Sequence, residues 1–290
     1  MEPEVSICCI TYNHGKYLRN AIESFLMQKT TFPFEILIHD DASTDGTSGI
    51  IREYEKKYPD LIKPIYQTEN QYSQGKSISA TYQFPRAKGK YIALCEGDDY
   101  WTDPQKLQKQ VDYLEANQNC ALCFHATEFV YENNPEKNFI YRPKKIPKDC
   151  KFEMKHVILG GGGFMATNSM FFKKECLHER ADWMENAPVG DIPLMLLLAS
   201  QGEIGYIDEI MGAYRVMTEN SWSSAMQDQL KKKKHHYAIL KMWDDFDIWS
   251  NKKYHQFVVR KKLKNKWNYF RDSIRIFIRS ISENNSKKIL

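Results

Sequence analysis

Short apolar runs alternate with longer amphipathic segments along the first part of the chain. The apolar runs have the length and composition of buried strands, and the segments between them carry apolar residues at helical spacing. The predicted strands are Val5–Ile10, Phe34–His39, Ile62–Tyr66 and Tyr91–Cys95. The predicted helices are Lys16–Gln28, a segment ending near Tyr58, and Ser77–Ala87. This order predicts an α/β fold with a mostly parallel central sheet flanked by helices.

Polar clusters follow three of the predicted strands, at residues 11–15, 40–47 and 96–99. Ligands of such sheets bind outside the carboxyl ends of the strands, so we expect the three loops to share one rim. The third cluster places Glu96, Asp98 and Asp99 within four residues, and Gly97 allows a tight turn between them. Close carboxylates repel one another, and Mg²⁺ or Mn²⁺ is their usual partner. The alternative is an acidic surface turn.

The later part of the chain adds two further strands and a helix to this pattern. An apolar segment, Phe164–Phe172, predicts a strand with a polar interruption, and Ile207–Tyr214 predicts another. Asp191 precedes the apolar run Leu194–Ala199, which predicts a buried helix. The glycine run at residues 160–163 either lets a backbone approach a ligand or forms a flexible loop.

Composition indicates a globular protein. The 290 residues are 42% hydrophobic and 27% charged, and a net charge of +4 is too small to indicate nucleic-acid binding by the whole chain. The seven cysteines lie largely in apolar runs, which indicates reduced thiols in a cytoplasmic protein. Cys120 and Cys123 with His125 could suggest zinc, but no second pair accompanies them and a core strand is the better interpretation.

Several classes of protein are disfavoured by missing motifs. No stretch has the length of a membrane span and no signal peptide opens the chain, so we expect a protein that neither crosses a membrane nor is secreted by that route. It could still lie on a membrane surface. Neither G-x-G-x-x-G after the first strand nor a P-loop motif occurs, which argues against dinucleotide oxidoreductases and P-loop enzymes.

Six motifs, in this order and spacing, resemble family 2 glycosyltransferases of the Rossmann-like GT-A fold. They are Ile10–Asn13, Asp40–Asp45, Gly89–Tyr91, Glu96–Asp99, Gly190–Asp191 and Tyr214–Arg215. The stretch from Glu96 to Trp101, with Pro104, looks like bacterial members that build surface polysaccharides. The resemblance covers residues 4–225. It implies a GT-A domain over residues 1–225, with a nucleotide-sugar half (1–115), an acceptor half (116–225) and a basic helical extension over 226–290.

The resemblance assigns the first two loops to the nucleotide. Thr11, Tyr12 and Asn13 would bind it, with Tyr12 stacked on the base. Asp41 would accept the imide N–H of the base, and Asp40 would support the loop. The structural alternatives are a surface aromatic for Tyr12 and helix capping for the two aspartates.

The resemblance assigns the diphosphate to the acidic turn and to two basic residues. Asp98 would contact the ribose or diphosphate, and Asp99 would hold Mn²⁺ or Mg²⁺ bridging the diphosphate. Lys76 could pair with a phosphate or the base, or be an ordinary surface lysine. Arg215 is a plausible diphosphate contact.

The resemblance makes Asp191 the catalytic base, which would take the proton of an acceptor hydroxyl and give inversion at the anomeric carbon. A plain helix-start aspartate is the alternative. Related enzymes often carry a histidine shortly after the Tyr-Arg pair, but Val216, Met217 and Thr218 stand here. A third protein ligand for the metal is therefore in doubt. Trp222 could stack on a sugar or lie in the core.

The C-terminal extension is strongly basic and amphipathic. Gln227–Trp243 predicts a helix, and beyond Lys252 the apolar residues fall at helical spacing with lysines and arginines between them. Residues 255–290 would form a helix that suits an anionic membrane surface, and it also suits packing on the domain with its basic face solvated. RNA binding ranks third, since no recognised module accompanies the charge.

The sequence thus predicts an inverting, metal-dependent glycosyltransferase. It would move a sugar from a nucleotide-diphosphate donor, with UDP preferred, to a saccharide or lipid-linked saccharide in surface polysaccharide synthesis. A nucleotidyltransferase would need a glycine-rich and basic phosphate loop after the first strand, which Thr11 to Gly15 does not supply. An inactive homologue would be expected to lack Asp99 or Asp191, and both are present.

Overall fold

A computed structural model describes residues 2–178, 180–218, 226 and 228–286, with side chains up to residue 275. The strands are β1 Val5–Thr11, β2 Phe34–Asp40, β3 Ile62–Tyr66, β4 Tyr91–Leu94, β5 Tyr100–Trp101, β6 Cys120–Val130, β7 Phe139–Tyr141, β8 Lys151–Phe152, β9 Phe171–Lys173 and β10 Glu203–Arg215. The helices are α1 Leu18–Leu26, α2 Thr47–Lys57, α3 Lys106–Ala116, α4 Met154–Gly160, α5 Asp191–Gln201, α6 Gln229–Trp249 and α7 His255–Ser286.

One mixed sheet runs through the molecule in the order β3-β2-β1-β4-β9-β6-β10-β5. Strands β3, β2, β1 and β4 are parallel, as predicted, and β6 pairs in parallel with β10. The short strand β9 joins the two parallel groups because it runs antiparallel to both β4 and β6. The predicted α/β class is therefore confirmed. The carboxyl ends of β1, β2 and β4 meet on one rim, where the three polar loops begin.

Two hydrophobic cores lie around the sheet. One core includes the buried faces of α1, α2 and α3, and the other includes α4, α5 and the two C-terminal helices. Leu196 and Leu197 of α5 are both fully buried, which explains why its apolar run shows no polar face. Cys120 and Cys123 lie in β6 as buried free thiols, which confirms the core-strand interpretation.

The predicted strand over Phe164–Phe172 is wrong for most of its length. Residues Thr167–Ser169 form a 3₁₀ turn, and only Phe171–Lys173 pairs in the sheet. The buried side chain of Asn168 donates a hydrogen bond to the Ala213 carbonyl (2.7 Å), and the Ser169 hydroxyl donates to that of Ala166 (2.7 Å). These side-chain bonds satisfy polar groups that a regular strand would leave unpaired here.

The predicted helix over Ser77–Ala87 is helical but irregular. It consists of a π turn at Ser79–Gln83 followed by a 3₁₀ turn at Phe84–Arg86. The Gln83 side chain is buried, and its amide donates to the Cys9 carbonyl (2.8 Å) and the Leu37 carbonyl (3.0 Å). This glutamine ties the segment to β1 and β2, so tertiary bonds decide its geometry.

The C-terminal helices pack on the domain over part of their length. Trp243 and Phe246 of α6 and Val258 of α7 are buried in the second core. The first turns of α7 pack on the domain, as one interpretation of the basic tail predicts. The apolar side chains farther along α7 are exposed, as the membrane interpretation requires. In the part of the chain described here, no helix is long and apolar enough to cross a membrane.

We predict that Gly89→Ala sharply destabilises the protein while Gly49→Ala does not. A Cβ at Gly89 would lie 2.5 Å from the Ser6 amide nitrogen and 2.7 Å from the Val5 carbonyl carbon, so the backbone entering β4 would have to move away from β1. The expected cost is about 2–4 kcal/mol. Gly49 is exposed in α2 with nothing near its Cβ position, so alanine there should be neutral or stabilise slightly. Equal midpoints of chemical unfolding would contradict the prediction.

Candidate active site

The acidic turn after β4 is pressed against the end of β1. The Gly97 amide donates to the Ile10 carbonyl (2.9 Å), and the Asp99 amide closes the turn on the Glu96 carbonyl (3.0 Å). A Cβ at Gly97 would lie 2.7 Å from Thr11 Oγ1, so only glycine lets the turn approach this closely. The sequence signal for a tight turn thus corresponds to a close backbone approach, which places the acids beside the β1 loop.

The three carboxyl groups of the turn share a poorly solvated space. Burial, followed by the charges of Asp98 and Asp191, raises the pKa of Glu96 to about 8. Burial and the charges of Asp98 and Glu96 raise the pKa of Asp99 well above its ordinary value. Asp99 Oδ2 is buried and has no hydrogen-bond partner among the described residues. The turn is therefore a concentration of negative charge that lacks a full countercharge.

Arg215, at the end of β10, provides part of the countercharge. Its backbone amide donates to Asp99 Oδ1 (2.9 Å), and its Nη1 donates to the Asp98 carbonyl (2.6 Å). Its Nε donates to Glu132 Oε1 (3.0 Å), and its Nη2 donates to Asn20 Oδ1 (2.8 Å). Arg215 therefore holds the acidic turn in place. Its contact with a diphosphate stays a prediction.

The donor atoms around the turn fit a hard divalent cation. Asp99 Oδ2 is an unpaired oxygen, and His14 Nδ1 lies 3.8 Å from Asp98 Oδ1 without a hydrogen bond to any described residue. Magnesium and manganese commonly take one or two carboxylates together with substrate phosphates and water. Thr218 donates to Asp98 Oδ2 (2.9 Å) in the segment where related enzymes often carry a histidine. Within residues 2–178, 180–218, 226 and 228–286, no group of three His, Cys, Asp or Glu side chains is arranged to hold a metal ion without further ligands.

Asp191 lies at the same site, although it is far from the turn in sequence. It is the first residue of α5, and a Cβ at Gly162 would lie 3.3 Å from its Oδ2. Burial raises the pKa of Asp191, and its charge contributes to the raised pKa of Glu96. Burial and the charges of Glu96, Asp99, Asp98 and Asp191 together raise the pKa of Tyr214. The charges of the predicted base and of the predicted metal ligand thus act on one tyrosine.

The loops after β1 and β2 are linked to each other. The Asn13 amide donates to Ser43 Oγ (2.9 Å), and the Thr44 amide donates to Asn13 Oδ1 (2.8 Å). Asn13 has φ +54°, a conformation that asparagine tolerates better than most residues. Tyr12, next to it, is 38% exposed on the rim, so its ring is accessible for stacking.

Asp41 is buried beneath the loop that carries Lys76. Its two carboxylate oxygens accept hydrogen bonds from the backbone amides of Gln71 (2.7 Å) and Tyr72 (3.0 Å). Lys76 is exposed, and its Nζ donates to Gln71 Oε1 (2.7 Å). Asp41 therefore orders the loop on which Lys76 lies. The contacts of both residues with a nucleotide stay predictions.

Asp40 supports the loop, as the sequence suggested. It accepts hydrogen bonds from the Ser43 amide (3.2 Å) and from the Ser48 hydroxyl at the start of α2. No sequence signal singles out His14, Thr218 or Glu132. His14 lies in the polar cluster at residues 11–15 and Thr218 follows the Tyr214–Arg215 motif, but one polar residue in a loop carries no signal of its own. Trp222, proposed as a sugar platform or core residue, lies outside the described residues.

We predict that the metal-free protein loses stability as pH rises, and that Glu96→Gln removes part of this loss. The pKa of Glu96 is about 8 in the folded protein against an ordinary value of 4.5, so folding favours its neutral form. That stabilisation is present at low pH and is lost between about pH 4.5 and pH 8, at up to about 1.4 kcal/mol per pH unit. Urea unfolding in EDTA should show a flatter profile for Glu96→Gln. Exposed Glu136→Gln is the control, and an unchanged profile for Glu96→Gln would contradict the assignment.

Comparison with known sequences identifies relatives of the chain. A family model described as Glycosyl transferase family 2 matches residues 6–180. An uncharacterized protein of Mycobacterium tuberculosis is 37% identical over 229 residues, which are 78% of this chain and 63% of that protein. TuaG of Bacillus subtilis, named for teichuronic acid biosynthesis, is 27% identical over 230 residues, which are 77% of this chain and 85% of that protein. The chain therefore spans less than two thirds of the mycobacterial relative.

Solved structures share the fold at low sequence identity. The Staphylococcus aureus protein TarS, residues 1–349 in complex with UDP-GlcNAc, has a TM-score of 0.58 at 16% identity, over 83% of this chain and 65% of that one. The mannosyltransferase PcManGT of Pyrobaculum calidifontis, in complex with GDP-Man and Mn²⁺, has a TM-score of 0.64 at 14% identity, over 93% of this chain and 72% of that one. These similarities confirm the predicted GT-A fold.

Proposed function

The chain belongs to glycosyl transferase family 2, and we propose that it transfers a sugar from a UDP-linked donor to an acceptor hydroxyl with inversion of the anomeric carbon. The observation that carries the proposal is that the charges of Asp191, Glu96, Asp98 and Asp99 all raise the pKa of Tyr214, and that the charge of Asp191 also raises the pKa of Glu96. A base for the acceptor and a group of carboxylates for the donor are the two parts that such a transfer needs.

Asp191 is the general base of the proposed reaction. The acceptor oxygen attacks the anomeric carbon, the bond from that carbon to the diphosphate oxygen breaks, and Asp191 takes the hydroxyl proton. One displacement from the face opposite the leaving group inverts the configuration. Burial raises the pKa of Asp191 and makes its carboxylate a stronger base than an exposed aspartate.

Asp99, through Oδ2, would hold Mn²⁺ or Mg²⁺, which would supply countercharge to the leaving diphosphate, and Asp98 would contact the ribose or the diphosphate. The ring of Tyr12 would stack on the nucleotide base at the rim, beside Thr11 and Asn13. Asp41 keeps the neighbouring loop in position to reach the nucleotide base, and Lys76 on that loop would bind a phosphate. The complexes of TarS with UDP-GlcNAc and of PcManGT with GDP-Man and Mn²⁺ support a nucleotide-sugar donor and a divalent ion.

The acceptor in this proposal is a saccharide or lipid-linked saccharide of surface polysaccharide synthesis. The similarity to TuaG supports this assignment. Helix α7 supports a membrane location because exposed apolar side chains, spaced three or four residues apart, form a stripe along one face. The stripe consists of Val259, Leu263, Trp267, Phe270 and Ile274. Lysines and arginines lie between these residues, the pattern of helices that rest on anionic lipid.

We predict that Asp99→Asn and Asp191→Asn separate donor binding from transfer. Asp99→Asn should abolish metal-dependent donor turnover, because the cation loses its ligand. Asp191→Asn should keep donor affinity within about twofold of the wild type and slow transfer by roughly 10²–10⁴. Donor affinity is measured by calorimetry over a panel including UDP-GlcNAc and GDP-Man with Mn²⁺, and turnover by release of the nucleoside diphosphate. Exposed Asp60→Asn is the control. Unchanged turnover in Asp99→Asn, or wild-type transfer in Asp191→Asn, would contradict the assigned roles.

We predict that Trp267→Glu weakens binding to vesicles containing phosphatidylglycerol by roughly tenfold or more. The substitution removes an apolar side chain worth about 2 kcal/mol when buried and adds a charge that anionic lipid repels. Ile248→Glu, on an exposed position of α6 outside the stripe, is the matched control. Co-sedimentation with vesicles measures the partition. Equal partition of Trp267→Glu and the wild type would favour a solvated helix.

A further inference from the structure

Helix α7 places a buried lysine at the C-terminal end of α4. Lys261 is 8% exposed, and its Nζ donates to the Gly160 carbonyl (2.9 Å) and the Leu159 carbonyl (3.2 Å). These are the last residues of α4, where carbonyl groups lack partners within the helix and a positive charge is favourable. A lysine from the C-terminal extension therefore caps a helix of the glycosyltransferase domain.

The capped helix leads directly into the glycine run beside Asp191. Gly161 has φ +63°, a backbone conformation that favours glycine, and a Cβ there would overlap Lys261 Nζ. Both the backbone conformation and the lack of space therefore require glycine at this position. At the next residue, a Cβ on Gly162 would lie 3.3 Å from Asp191 Oδ2. The ammonium group of Lys261 and the carboxylate of Asp191 thus lie beside the Cβ positions of consecutive glycines in one turn.

The other end of the run is held by β7. The Tyr141 hydroxyl donates to the Gly163 carbonyl (2.7 Å) and the Phe164 carbonyl (2.8 Å). The glycine run is therefore a fixed backbone held from two sides, which argues against the flexible loop that the sequence left open. Within this run, the Cβ position of Gly162 lies 3.3 Å from Asp191 Oδ2, so the place of the run relative to α5 bears on the surroundings of that carboxylate.

We propose that Lys261 is a positioning residue for the transfer reaction, because it holds the glycine run against Asp191 and so sets the place of the base. The inference rests on the proposed function, since it assigns Lys261 a part in the same reaction. It also makes the C-terminal extension a component of the active site. Lys261 acts through the backbone of Leu159 and Gly160, whose carbonyl groups accept its hydrogen bonds.

Lys261→Met tests the proposal, with Lys264→Met as the matched control. Methionine keeps the apolar stem but loses the bonds to α4, while Lys264 is exposed on the same helix. Hydrogen–deuterium exchange of residues 159–164 should accelerate in Lys261→Met alone. Turnover in Lys261→Met should fall by at least tenfold. It is measured as release of UDP from UDP-GlcNAc or of GDP from GDP-Man with Mn²⁺, with water or octyl glycosides as acceptors. Donor affinity should stay within twofold, because the donor loops do not contact Lys261.

A second pair of variants keeps the test independent of the lysine. Gly161→Ala should give the same loss of turnover with unchanged donor affinity, since its methyl group displaces Lys261 Nζ. Gly49→Ala, in α2 and outside the glycine run, has no atom within 4 Å of its Cβ position and should retain wild-type turnover. Circular dichroism confirms that each variant is folded.

The outcomes distinguish this inference from the proposed function. Absence of turnover in the wild type with every donor would overturn the proposed function and the inference with it. A wild type that turns over donor, with equal turnover in Lys261→Met, would overturn the inference alone, even if that variant melts at a lower temperature. Unchanged exchange of residues 159–164 in Lys261→Met would also overturn it.

Discussion

The site depends on the cost of placing three carboxyl groups in one poorly solvated turn. Burial and the charge of Asp98 raise the pKa values of Glu96 and Asp99, and Asp99 leaves an oxygen unpaired among the described residues. Arg215 offsets part of this repulsion through its backbone amide and guanidinium. In the proposed function, the remainder would favour binding of a cation with a negatively charged donor, because the complex would neutralise the charge that destabilises the free protein.

The rest of the molecule positions other groups around that turn. The parallel order of β1, β2 and β4 brings the three polar loops to one rim, while β9 joins this half of the sheet to the half that ends in Arg215. Helix α5 presents Asp191 from the opposite core. Helix α7 reaches the same neighbourhood through Lys261 and carries its exposed apolar stripe on another face. Distant parts of the chain thus lie around the candidate active site.

The sequence predicted the parallel strands and the acidic turn because their signals are local. Apolar runs with polar ends identify strands, and Gly97 between acids identifies a turn. It did not predict the 3₁₀ turn at Asn168 or the irregular helix at Gln83, where buried amides bond to strands distant in sequence. The sequence did not predict the hydrogen bond from Lys261 to Gly160 either, because a buried lysine in a basic helix cannot be told from its solvated neighbours by sequence pattern. Such contacts depend on tertiary packing, which periodicity does not encode.

The most direct test of the central claim is the number of protons released when the donor complex forms. Calorimetry of Mn²⁺ with UDP-GlcNAc or GDP-Man at pH 7, in two buffers of different ionisation enthalpy, gives this number. We expect release of about one proton, because a cation at the turn ionises carboxyl groups whose pKa values are raised. We also expect EDTA to abolish binding. Metal-dependent binding without proton release, or donor binding unaffected by EDTA, would contradict the account.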